Sequence, residues 1–125
     1  MRDTETCHFW VGSVPEKIAG SYFVEDLTGD DEKPISAFAR DQGVTYYDHD
    51  FLEYGWGKAD TIQKLVAGYS YSDQWAEELA RRVVEASLTG VNFFVFITQD
   101  EIEWPQSVQG EGYWLQYMGT IEYRI

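Results

Sequence analysis

The feature that most constrains this chain is the run at residues 91–98, where Val91 and then Phe93, Phe94, Val95, Phe96, Ile97 and Thr98 leave Asn92 as the only amide side chain. A half-exposed strand alternates apolar with polar residues, whereas this run offers water neither face. It predicts a strand covered on both sides and therefore central in its sheet. Two other stretches alternate. In residues 7–11, Cys7, Phe9 and Val11 share one face, His8 and Trp10 share the other, and Gly12 ends a predicted first strand. At the tail, Tyr113, Leu115, Tyr117, Ile121, Tyr123 and Ile125 have one parity and Gln116, Thr120, Glu122 and Arg124 the other, so one face is buried and one is wet. Gly119 falls on the apolar parity, marking a bulge, a close contact or a break into two strands.

Between these strands the period changes to that of helices. Trp75, Leu79 and Val83 recur every four residues beside Ala76 and Ala80, with Ser72 placed as N-cap and Gly90 as the end. The opposite face carries Glu77, Glu78, Arg81, Arg82 and Glu85, whose spacing pairs Glu77 with Arg81 and Glu78 with Arg82 as a solvated face. Ser13 and Glu16 around Pro15 have capping-box spacing, predicting a short helix with Ile18, Tyr22 and Phe23 on one side. Pro34 opens another, in which Ile35, Phe38 and Ala39 face inward and Gly43 is a left-handed stop. The expected class is α+β, with a small, mainly antiparallel sheet of the N-terminal strand and two or three C-terminal strands packed with helices.

A chain of 125 residues is expected to form one domain, residues 1–125, without disulfides or metals. Nine bases against 22 acids give a net charge of −13, which repels nucleic acid and anionic lipid and attracts basic partners. Five Trp, nine Tyr and seven Phe are too many rings for a disordered acidic tail, so the charge decorates a folded body. Cys7 is the sole cysteine, which excludes an intramolecular disulfide and favours the cytoplasm. The polar opening of residues 1–6 predicts no export signal, and no apolar run approaches the roughly 20 residues that span a bilayer. The oligomeric state is left open.

The densest polar cluster is Asp48, His49, Asp50 and Glu53, whose oxygens and imidazole are competent ligands for a divalent cation. Its spacing has neither the glycine and ligand ladder of a calcium loop nor a second histidine at helical spacing. The competing reading is that these acids cap a short helix starting near Asp50. His8, inside a strand, reads as structural, and His49 has no nearby serine or cysteine to activate. The stretch Gly55, Trp56, Gly57, Lys58 lacks the long loop and following hydroxyl of a phosphate-binding motif. No catalytic residue and no cofactor is assigned.

Residues 25–60 are the least regular and most acidic stretch, with ten acids against Lys33, Arg40 and Lys58. Carboxylates steer a basic partner, and Tyr and Trp bury large area with few torsions to freeze. Asp48, Asp50, Glu53, Tyr54 and Trp56 are therefore the candidate partner-binding residues, on a loop between regular elements, with Tyr46, Phe51 and Leu52 expected to point inward.

Three stretches carry a family resemblance. They are His8-Phe9-Trp10-Val11-Gly12; residues 35–43, Ile-Ser-Ala-Phe-Ala-Arg-Asp-Gln-Gly, leading into Tyr46-Tyr47-Asp48-His49-Asp50-Phe51-Leu52-Glu53; and Tyr117-Met118-Gly119-Thr120-Ile121-Glu122-Tyr123. In these the chain resembles the immunity protein 22 family of bacterial polymorphic toxin systems. The resemblance implies a cytoplasmic protein that binds and blocks a cognate toxin domain, possessing no catalytic residues and no cofactor. A nuclease toxin would offer a basic groove complementary to this chain. Two other classes compete: a metal-dependent hydrolase using Asp48, His49, Asp50 and Glu53, and a general acidic protein-binding adaptor.

Overall fold

A computed structural model describes residues 3–26 and 32–125. Met1 and Arg2 of the polar opening, and Asp30 and Asp31 of the acidic stretch, lie outside the described residues. Strands β1 (Thr4–Ser13), β2 (Leu52–Trp56), β3 (Phe93–Thr98), β4 (Val108–Gln109) and β5 (Trp114–Arg124) form an antiparallel sheet in the order β2-β3-β1-β5-β4. Helices α3 (Ile62–Val66) and α4 (Ser72–Glu85) cover one face. Short helices α1 (Glu16–Ala19) and α2 (Ala37–Asp41), with the segments around them, cover the other. The α+β class and the antiparallel sheet of an N-terminal strand with three C-terminal strands match the expectation, and β2 is an addition to it.

Every residue of β3 is buried, as its unbroken apolar run requires. Phe93, Val95 and Ile97 pack with Trp10 and Leu115 on the α1/α2 side, and Phe94 and Phe96 with Phe9, Trp75 and Leu79 on the α3/α4 side. The central place belongs to β1, with β3 between it and the edge strand β2. That position explains why both faces of β1 are buried although its sequence alternates in polarity. Gly12 does not end the strand. A side chain there would overlap the Trp114 carbonyl, so the glycine lets β5 pass close beside β1.

Gly119 makes a bulge inside one continuous strand. The pairing with β1 shifts register between Phe9 and Trp10, and Gly119 takes φ +94°, a conformation open chiefly to glycine. One extra residue reverses the side-chain parity. Leu115 and Tyr117 face α1 and α2, while Ile121 and Tyr123 face α3 and α4. The apolar parity of the tail therefore serves two different cores rather than one.

The helix signals were right about faces and less so about ends. Trp75, Leu79 and Val83 are buried, but Ser72 is the first helical residue, the cap position belongs to Tyr71 at φ 58°, and the helix stops at Ala86, before Gly90. Ser13 ends β1 and makes no capping box; Pro15 occupies the cap position of α1. Helix α2 begins after Ser36, whose Oγ accepts the Ala39 N–H at 3.1 Å, rather than at Pro34. Phe38 and Ala39 point inward, and Gly43 is left-handed at φ +74° as predicted. Among the described residues, no helix is long and apolar enough to cross a membrane.

Candidate protein-binding site

Two short 3-10 turns meet at one end of the sheet. The first, His49–Phe51, is started by Asp48, whose Oδ1 accepts the Asp50 N–H at 3.0 Å. An acid, Asp48, thus caps a short helix that starts next to Asp50, as the competing reading expected. The turn is anchored by Tyr47, fully buried with its hydroxyl 3.0 Å from Ser36 Oγ and its ring edge-on to Phe38. Burial pushes the Tyr47 phenol above its ordinary range. Tyr46 and Phe51, expected inside, are 63% and 52% exposed, and only Leu52 of that trio points inward. Tyr47 takes the inward place because its hydroxyl finds a buried partner.

The second turn, Gln99–Glu101, continues directly from β3. The Asp48 N–H donates to Glu101 Oε1 at 2.7 Å, tying the two turns together. Beyond it the chain is held at two points. His8 Nε2 donates to the Ile102 carbonyl at 2.9 Å while its Nδ1 sits 2.7 Å from the Tyr117 hydroxyl, an arrangement suited to a neutral imidazole. Burial lowers the His8 pKa below its ordinary 6.5, and the bond to Ile102 opposes that shift. Gln42 grips Gln106 through both its amide atoms, at 2.9 and 2.8 Å. Between these anchors Glu103 is exposed and Trp104 is 77% exposed. Glu101, Glu103 and Trp104 had no part in the sequence-based site. The available signal was three acids and a Trp-Pro pair directly after a fully buried strand.

Glu53, Tyr54 and Trp56 lie on β2, an edge strand, and not on the loop expected for them. The strand splits them between faces. Glu53 turns toward the α3/α4 side, where its Oε1 accepts the Ser70 N–H at 3.2 Å. Tyr54 stacks on Phe23 at 4.1 Å on the opposite face and stays 38% exposed. Trp56 is half-buried against the same core, its indole N–H donating to the Val14 carbonyl at 2.7 Å. Asp48, Asp50 and Tyr54 are thus available at the surface to different degrees, Glu53 is partly engaged, and Trp56 is largely structural. Asp50 is exposed and forms no ion pair with the described residues.

The chemistry such a surface can perform is recognition. Among the described residues no three His, Cys, Asp or Glu side chains are grouped to hold a metal ion, and His49 Nδ1 instead lies 3.2 Å from Glu25 Oε1. Cys7 is buried beside Tyr123, and burial pushes its thiol up to about 11.

The charged face of α4 is organised differently from its spacing. Arg81 pairs with Glu78 and Glu85, not with Glu77. The hydrogen bonds that Glu78 accepts from Arg81 and then Arg82 bring its carboxyl down to about 2. Arg82 holds Glu78 at 2.7 Å and also donates from Nη1 to the carbonyls of Met118 and Thr120, at 3.0 and 2.9 Å. The expected Glu78–Arg82 pair therefore forms, and Arg82 is in addition a clamp on the β5 bulge.

Compared with known proteins, residues 7–124 match the family described as Immunity protein 22. No curated protein and no solved structure matches the chain.

Proposed function

From the premise that this chain belongs to the immunity protein 22 family, a binding protein and not an enzyme, we propose that it neutralises a cognate bacterial toxin domain by occupying it with an acidic, aromatic-rich surface. The observation that carries this reading is the family match across nearly the whole chain. Of the five candidates, Asp48, Asp50 and Tyr54 form the surface, with Glu53 beside it across the edge strand and Trp56 supporting it from the core. It is extended by Glu101 of the neighbouring turn and by Glu103 and Trp104 just after that turn. Supporting the location are exposed rings beside carboxylates, the composition that steers a basic protein and then anchors it. A net charge of −13 supports a basic target, and a nuclease groove is one such surface. The place of action is the cytoplasm, where the toxin would otherwise act.

The test is co-expression with the toxin domain encoded beside this chain. Rescue of growth together with a purified one-to-one complex is the expected result, and association slows as salt is added because mobile ions screen the fields over about 8–10 Å. Growth arrest despite ample folded protein, with no complex, would overturn the reading.

A further inference from the structure

We infer that the outer edge of β2 receives an extended basic segment of the toxin as an added strand. This rests on the toxin-binding reading above and specifies its geometry. The Gly57 N–H donates to the Asn92 carbonyl at 3.0 Å, which fixes the phase of the β2–β3 ladder. Glu53, Gly55 and Gly57 turn their N–H and C=O groups toward β3, and Leu52, Tyr54 and Trp56 turn theirs outward. The Leu52 N–H is used by the His49 carbonyl. The backbone groups of Tyr54 and Trp56 have no partner among the described residues. They stand two residues apart, the period at which a neighbouring strand exchanges pairs of hydrogen bonds.

Edge strands are normally blunted with lysine, proline or a covering element, and Leu52–Trp56 contains neither residue. At Gly55 the strand has no room for a side chain. A side chain at that position would overlap the Tyr69 hydroxyl and meet the Phe94 ring. Charge selects the occupant. A second copy would bring together two chains of net charge −13, with Asp50 and Glu53 beside the seam on both. A basic segment gains from the same field. Because strand side chains alternate, the residue beside Tyr54 is apolar or aromatic, packing on the exposed part of that ring, and the residue beside Glu53 is Lys or Arg.

Amide hydrogen exchange read residue by residue by NMR tests this on the full chain, alone and with the neighbouring toxin domain. In the free protein the Tyr54 and Trp56 amides exchange fast at every protein concentration, while those of Glu53, Gly55 and Gly57 are slow. In the complex Tyr54 and Trp56 slow by about 100-fold or more. Slow exchange at both in the dilute free chain would show a covered edge and overturn the inference. Protection rising with the concentration of the free chain would assign the edge to a second copy and overturn it equally. A tight complex that leaves both amides fast would overturn strand addition while the toxin-binding reading stands. Absence of any complex would end both.

Discussion

The two edges of the sheet are finished in opposite ways. Along the outer side of β5, β4 pairs with Leu115 and Trp114, Ser107 Oγ accepts the Tyr117 N–H at 2.9 Å, and Arg82 takes the carbonyls of Met118 and Thr120. At the far end Gln74 satisfies both backbone groups of Arg124, at 2.9 and 2.7 Å. Gln74 and Arg82 come from one helix, α4, two turns apart. Along β2 the corresponding groups of Tyr54 and Trp56 meet no described residue, and the side chains beside them are acids and rings. Gln74 and Arg82 of α4 are therefore committed to insulating the β5 edge, and no described residue does the same for Tyr54 and Trp56 on β2. A buried or insulated edge stabilises the monomer, and an open one is a template for another chain.

Removing the packing beneath the insulating helix has the largest expected effect. Leu79→Ala empties a fully buried position under α4 and is expected to cost roughly 2–5 kcal/mol by urea denaturation, loosening the β5 edge with it. An unchanged midpoint would mean that α4 does not depend on that face.

Arg82→Ala is the sharper cut. It leaves the bulge carbonyls of Met118 and Thr120 without their donor and is expected to cost about 1–3 kcal/mol. Arg81→Ala, removing only exposed ion pairs, leaves the midpoint near that of the wild type. Equal effects for the two arginines would remove the distinction between an insulated edge and an ordinary charged helix face.

A smaller effect links the acidic end to pH. Because burial lowers the His8 pKa, the unfolded chain takes up the proton first as pH falls. Stability from neutral His8 is complete above about 6.5 and declines as pH drops below that value toward the lower folded-state pKa. Thermal midpoints measured from pH 7.5 to 5 are expected to fall, and less so in His8→Phe. The same slope in both proteins would place the pH response elsewhere.

How much of this was legible in the sequence differs between the two edges. The run ending at Thr98 declared its burial because a strand covered on both faces has no polar alternation to hide it. The faces of α4 followed from a four-residue period. Gly119 announced a bulge but not its consequence, since the parity reversal depends on pairing with β1. Strand β2 was illegible: Leu52, Glu53, Tyr54, Gly55 and Trp56 mix an acid and a glycine among rings, and only the ladder to β3 makes them a strand. The role of Arg82 was hidden for the same reason, because the carbonyls it holds are 36 and 38 residues away. Of the candidate site, Asp50 and Tyr54 were recoverable as exposed residues. Trp56 was not separable from them without the Val14 carbonyl in view.

The central claim is that the toxin meets the β2 side of the molecule and not the α4 side. Its most direct test is the affinity of the cognate toxin domain for Asp50→Ala, Tyr54→Ala and Glu77→Ala, with unfolding measured on the same proteins. Asp50 and Tyr54 are expected to lose about 2 kcal/mol of binding each while the proteins remain folded, and Glu77 to lose none. Normal affinity in folded Asp50 and Tyr54 variants, beside a loss in the Glu77 variant, would move the interface to α4 and contradict the account.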